Sequence, residues 1–430
     1  MIEPFVNAVK VSELKSRLLF LFLALAIFVF TTRLSVPGVN LPVWNHLLSQ
    51  GAIFSFIGLI TGGALNNFAV VAMGITPYIN ASIMMQLLTI IIPQLEDLQK
   101  EGGEMGRKQI AMYTRLLTVV LSIFEALMMT FPLRSMGVFY DPGIFHLLAI
   151  VLTLTAGSAF LLWLGEMITD KGIGNGVSIL IFAGIILRYP TYTAEVFKIT
   201  AANLQDEGPT VLLRLLGFLV AAVALIVIIV ALEQGVRKVA IQQAKRIVGR
   251  RVMGGQSTYI PMKVDNGGVI AIIFAISVLY FPMTIVNFFH QSASQSRFAG
   301  IVQTLFSPSS AFFNIFYAGL VIFFTFFYAY ITFNVNDVAD NLKKTGSFIP
   351  GIRPGKPTAD TLTRILTRIT FVCAVVLAVI AVVPSWITQL FHVSFYLGST
   401  SLLIIVGVIL DTIQQIQARL IMRHYRGFLK

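Results

Sequence analysis

The sequence is poor in charge and nearly empty of the side chains that most chemistry requires. Of 430 residues only 12% are Asp, Glu, Lys or Arg, against roughly a quarter in an ordinary soluble domain; a solvated globular enzyme is excluded. The one cysteine, Cys373, lies inside an apolar run, so no intramolecular disulfide is possible and thiolate-metal chemistry lacks partners. His46, His146, His290, His392 and His424 are scattered without ligand spacing, which argues against a metal site. No serine, histidine and acid arrangement nominates a nucleophile. Gly172-Ile173-Gly174-Asn175-Gly176 lacks the Gly-Lys-Ser/Thr ending of a phosphate loop and reads as a tight turn between two helices. The expectation is a protein that is not an enzyme and holds no cofactor or metal.

What the chain does have is apolar length. Hydrophobic residues make up 57%, and runs of about 20, enough to cross a bilayer as helix, fall near 18–33, 75–92, 113–132, 144–165 and 174–188, then near 210–232, 268–288, 311–333, 366–384 and 397–418. The first follows Lys10, Lys15 and Arg17 like a signal peptide, yet Thr31-Thr32-Arg33 offers no small-x-small cleavage site, so it is expected to stay as a helix. The stretch 52–74 is apolar but broken by Gly62-Gly63 and Asn66-Asn67. If it crossed, Lys100, Arg107, Lys108 and Arg115 would face the side opposite the N-terminus, against the positive-inside rule. It is therefore expected to enter and return, which requires burial in protein or a wet cavity.

With that assignment, all 31 Lys and Arg except Arg33, Arg134, Arg188, Lys198, Arg214 and Arg297 share the side of the N-terminus. The pattern predicts an all-α polytopic protein with ten spans and both termini cytoplasmic. Five spans in each half, 1–190 and 191–430, invert the second half relative to the first and permit a pathway at their interface. Glu125 and Asp411 are the only acids well inside spans, so an ion-coupled transporter using them is one alternative, with helix-helix hydrogen bonding as the plainer role. Loops 233–267 and 334–365 concentrate basic residues and read as docking prongs or as ordinary positive-inside loops. A scaffold for partner docking would need only these loops.

Several segments, in order along the chain, resemble the SecY/Sec61-alpha family of Sec protein-translocation channels. They are Gly74-Ile75-Thr76-Pro77-Tyr78-Ile79-Asn80-Ala81-Ser82 with Gln86-Leu87-Leu88, Gly172 to Gly176, Gln256 to Val264, Ala339 to Lys344, Pro350 to Gly355 and Gly398 to Ile404. The resemblance implies ten helices in two inverted halves of five around an hourglass pore, with the first external segment re-entering as a plug at about 53–67, including Ile60, Thr61, Gly62 and Gly63. It places a hydrophobic pore ring on Ile75, Ile79, Val177, Ile181, Ile273 and Ile404, a collar of branched aliphatics that gates by dewetting. Gln86 and Asn287 fall at a lateral gate through which apolar helices leave toward lipid. Arg250, Arg251 and Arg353 fall on loops that engage the SecA motor ATPase or the ribosome, through ribosomal RNA and protein. The family works with SecE and SecG membrane subunits on signal sequences and preproteins, in contact with membrane lipids of the prokaryotic plasma membrane.

Overall fold

The computed structural model describes residues 12–50, 63–100, 102–134, 136–207, 210–243, 246–248, 251–253, 257–265, 267–268, 270–276, 278–279, 304–306, 310–391 and 399–427. Contacts divide the chain into two units, residues 1–194 with 408–430, and residues 195–407.

In the first unit, α1 (Ser12–Thr31) leads to the short α2 (Leu41–Gln50), α3 (Thr76–Ile91), α4 (Pro93–Lys100), α5 (Gly103–Leu133), α6 (Ile144–Lys171) and α7 (Gly176–Glu207). Helix α5 packs against α3, α4 and α6, and α1 packs against α6. The sharp bend of 105° between α3 and α4 has a local cause. Pro93 forces the preceding residue out of helical geometry, and Ile92 is extended at φ −101° and ψ 109°.

The expected re-entrant stretch is described from Gly63 onward, and residues 63–75 form turns rather than a helix. Its loose backbone is satisfied within protein, as membrane depth demands. The Val36 amide donates to the Phe68 carbonyl (2.9 Å), and the Val70 amide to the Leu34 carbonyl (2.8 Å). Trp44 of α2 donates its indole N–H to the Leu65 carbonyl at 2.7 Å. Around this return sits an apolar core in which Trp44, Phe68 and Leu154 are completely or almost completely buried, with Trp44 and Phe68 edge to face at 5.0 Å. Gly157 of α6 makes the approach possible, because a Cβ there would stand 2.0 Å from the Val70 carbonyl oxygen.

The second unit contains the end of α7 and then α8 (Thr210–Glu233), β1 (Val236–Gln243), β2 (Arg246–Val248), β3 (Arg251–Met253) and β4 (Ser257–Lys263). After helical residues 270–276 and 278–279 come α9 (Ala311–Thr332), α10 (Val335–Lys344), β5 (Ser347–Phe348), α11 (Lys356–Phe391) and α12 (Ser399–Gly427), which ends in the first unit. Helix α11 packs along α9 and also touches α8 and α10. The two basic loops contain more structure than their composition suggested. Strands β1 and β4 form an antiparallel ribbon from Val236↔Lys263 to Gln242↔Ser257, and β5 of the second loop adds to the far end of β1. Both loops share one core, made of Val239, Ile241, Met262, Val335, Leu342 and Ile349 against Leu362 and Leu366 of α11.

Among the described residues, eight helices are long and apolar enough to cross a bilayer, and the bent α3–α4 pair makes up to nine. The seventh expected span, 268–288, lies outside the described residues beyond 279, so this count agrees with the ten-span reading. Many exposed side chains on the long helices are large and apolar, as with Phe22 and Phe30 of α1 and Leu213 and Leu216 of α8. Such faces would aggregate in water but are the expected outer surface in hydrocarbon.

Candidate functional site

Two aliphatic pairs open two helices of the first unit. Ile75 is the residue before α3, buried at 7% exposure, and the Ile79 amide donates to its carbonyl at 3.1 Å. One turn apart, the two side chains share a face of the helix. The helix start is sharply set, with Gly74 at φ +60° ending the turn-rich return and Pro77 in the first turn, where its missing N–H costs no hydrogen bond.

Val177 and Ile181 repeat this arrangement at the start of α7, and here the glycine run does the positioning. Asn175 accepts the backbone amides of Val177 (3.1 Å) and Ser178 (3.3 Å), capping the helix. The Gly176 amide donates to Thr169 Oγ1 at 2.9 Å, and a Cβ on Gly176 would lie 1.8 Å from the Gly165 carbonyl oxygen. Gly174, at φ +87°, donates its amide to Gln415 Oε1 of α12 at 3.0 Å. Arg17 of α1 donates to the carbonyls of Asp170 (3.1 Å) and Gly172 (3.2 Å). Ile173 is buried with Leu14 and Ile416. The run is thus a turn between helices, as its sequence indicated. Its anchors Arg17 and Gln415 carried no sequence signal, because each acts across more than 150 positions.

In the second unit Ile273 is partly buried in helical residues 270–276, and Ile404 of α12 is buried at 4% exposure. Of the remaining expected site residues, Gly63 lies in the return at φ +81°, while Ile60, Thr61 and Gly62 are outside the described residues. Gln86 is exposed on α3, and Asn287 lies outside the described residues. Arg251 pairs through its backbone with Val248 in the two-stranded β2–β3 sheet; Arg250 beside it is outside the described residues. Arg353 is exposed in the turn before α11, its carbonyl accepting from the Thr358 hydroxyl at 2.9 Å.

Glu125 of α5 accepts a hydrogen bond from Asn80 of α3 at 2.8 Å, which is the plainer role foreseen for it, and Asp411 is exposed on α12. An acid that sequence reasoning missed, Asp265, sits between β4 and the seventh span. It accepts the Gly268 amide and is buried at 8% exposure. Burial pushes its carboxyl above the ordinary range, with the Gly268 amide and, more weakly, Lys263 acting in the opposite direction. Among the described residues no cluster of His, Cys, Asp or Glu could hold a metal.

These elements define a class, that of helical multi-pass membrane proteins with a broken re-entrant segment and a small sheet outside the membrane. The SecY family model matches residues 69–413. The protein translocase subunit SecY of Thermotoga maritima is 42% identical over 441 aligned residues, covering 100% of this chain and 98% of that one. Its counterpart in Pseudomonas aeruginosa is 42% identical, covering 97% and 94%. Among solved structures, one described as a protein-conducting channel matches with a TM-score of 0.64 at 16% identity, covering 94% and 92%. Sec61 in a canine ribosome-channel complex matches at 0.62 and 17%, with the same coverage. The chain belongs to the SecY family.

Proposed function

We propose that this chain forms the conducting path of a protein translocase in a prokaryotic plasma membrane, with both termini cytoplasmic and the halves 1–190 and 191–430 inverted. Unfolded preproteins pass across it, and sufficiently apolar helices leave sideways into lipid. The observation that carries the reading is the pair of aliphatic steps, Ile75 with Ile79 and Val177 with Ile181, each on the first turns of a helix whose start is fixed by turn and cap. With Ile273 and Ile404 they make the dewetting collar. A collar of this kind needs no ionisable group, only branched side chains that exclude a water file and yield around a passing chain. The return at 63–75 supports a plug at about 53–67, and Gln86 with Asn287 lines the lateral exit. The transporter alternative loses its ground, since Glu125 is engaged by Asn80 across α3 and α5.

Energy comes from partners. The two basic loops, through Arg250, Arg251 and Arg353, engage a SecA-type motor ATPase or a ribosome, and SecE and SecG subunits complete the complex. Support for the ribosome comes from similar channels solved on ribosomes, the canine Sec61 complex and an idle yeast Ssh1 complex bound to the yeast 80S ribosome. The test is ATP-dependent translocation of a signal-bearing preprotein into vesicles holding this chain with SecE, SecG and a matched SecA, scored by protease protection against empty vesicles. Protection is expected, and Arg353→Glu is expected to abolish it while the complex still assembles, because that side chain is exposed. No protection despite full assembly would overturn the channel reading. Unchanged protection in Arg353→Glu would overturn the docking assignment.

A further inference from the structure

We infer that the edge of β1 beside β5 is a docking site for an extended strand of a cytoplasmic protein partner, one with an acidic residue opposite Lys238. The inference rests on the docking role given above to the basic loops and names the form and charge of what they hold. The ladder decides which backbone groups are already engaged. The Val264 amide donates to the Gly235 carbonyl at 2.8 Å, and hydrogen-bonded pairs recur at every second position of an antiparallel ribbon. In the register Val236↔Lys263 to Gln242↔Ser257, Arg237, Val239 and Ile241 therefore direct their amides and carbonyls to β4, while Lys238, Ala240 and Gln242 turn theirs outward. Pro261 agrees with this phase, since it stands opposite Lys238, where no N–H is needed.

On the outward side the sheet continues through β5 only at Gln242↔Phe348 and Gln243↔Ser347. Continuing that register would set Pro350 opposite Ala240, and proline has no N–H to give it; β5 stops at Phe348. Among the described residues no backbone group pairs with Lys238 or Ala240 on this side, and both residues are exposed. The two edges of the sheet are not alike. Natural sheets protect an edge with proline or with lysine. The outer edge of β4 has Pro261 at an outward position, whereas on β1 the lysine is drawn aside. Lys238 Nζ lies 4.9 Å from the centre of the Tyr259 ring on β4, away from the open edge.

Charge selects the occupant. Lys238 and Lys263 share one face of the ribbon by alternation, and both are exposed, as is Arg237 on the other face. No acidic residue occurs between Glu233 and Asp265. An added strand supplies backbone donors and acceptors whatever its sequence, and an Asp or Glu opposite Lys238 makes the favourable cross-strand pair. Nucleic acid brings negative charge but no row of alternating N–H and C=O groups, so it does not complete a sheet.

The test is residue-resolved amide exchange of the chain assembled with SecE and SecG, with and without a matched SecA. Bound SecA is expected to slow the Lys238 and Ala240 amides, while those of Val239 and Ile241, already held by β4, change little. Ala240→Pro removes an outward N–H and none of the β1–β4 ladder. It is expected to weaken SecA binding about fivefold, the usual worth of one backbone hydrogen bond. Ala240→Val keeps the N–H and should bind as the wild type does. Lys238→Glu should weaken binding at low salt and less at high salt. SecA bound to the wild type with both amides exchanging as in the free complex would overturn the inference, as would wild-type affinity in Ala240→Pro. Either result beside weakened binding by Arg353→Glu removes this inference and leaves the docking assignment standing, whereas failure of SecA to bind the assembled wild type removes both. Slowing that grows with protein concentration in the absence of SecA would assign the edge to a second copy of the chain and overturn the inference too.

Discussion

A buried carboxylate between a strand and a helix is the residue whose behaviour is hardest to guess and easiest to test. Asp265 caps the helical segment after β4 through the Gly268 amide, and burial raises its affinity for a proton above that of an unfolded chain. The folded state is favoured by protonation, so this contribution to stability is fully present below the ordinary aspartate value and is lost as pH rises through the raised one. Asp265→Asn keeps an acceptor for the amide and has no proton to lose. Its melting temperature is expected to gain on the wild type as pH is raised from 4 to 8 in detergent, and a difference independent of pH would refute the account. Asp265→Ala loses the cap as well and is expected to lie about 1 kcal/mol below Asp265→Asn at all pH values. If the proposed collar is right, Ile404→Asn or Ile273→Asn should wet it, raise closed-state ion leak in planar bilayers and relax the demand for a good signal sequence. Unchanged conductance in both would remove these residues from the pore.

At the scale of elements, glycine decides where helices meet. Gly176 lets the start of α7 touch the Gly165 carbonyl of α6, where no Cβ fits. Gly176→Ala is therefore expected to cost about 3 kcal/mol, the upper range for an overpacked contact, and to shift Val177 with it. Gly319→Ala on α9 is the control. A Cβ there meets nothing within 4 Å, and the change should stabilise the helix by roughly 0.5 to 1 kcal/mol. Thermal unfolding of the two variants side by side checks both signs. The elements were unequally legible in the sequence. Apolar length gave the spans, and Gly62-Gly63 with Asn66-Asn67 gave the break, because lipid punishes both kinds of error heavily. The β1–β4 ribbon went unseen although VRKVAIQQ alternates over part of its length, since charge and glycine nearby suggested an open loop. Helix α2 is only ten residues long and lay beneath the stronger signal of its neighbours.

For the molecule as a whole, the sequence's charge asymmetry and parity of crossings carried the expected topology, while the proposed collar rests on resemblance. Ile75, Val177 and Ile404 are chemically indistinguishable from the many aliphatics that pack transmembrane helices, and no local rule separates a pore-lining isoleucine from a core one. The anchors of the glycine turn were hidden for a different reason, since Arg17 and Gln415 meet it only after the chain has folded back on itself. The same holds for the sheet, whose third strand pairs Phe348 with Gln242. That pairing joins positions about a hundred residues apart, and closing so long a loop carries an entropic cost that neighbouring strands do not bear. During synthesis the ribbon of β1 and β4 can form as soon as its own turn emerges, but its edge stays open and its core half-filled until α10, β5 and the start of α11 have followed. A nascent chain halted before Ser347 would therefore carry all but its last two expected spans and its basic ribbon yet present an incomplete platform, so that the order in which the protein is made withholds the finished sheet until most of its helices are in place.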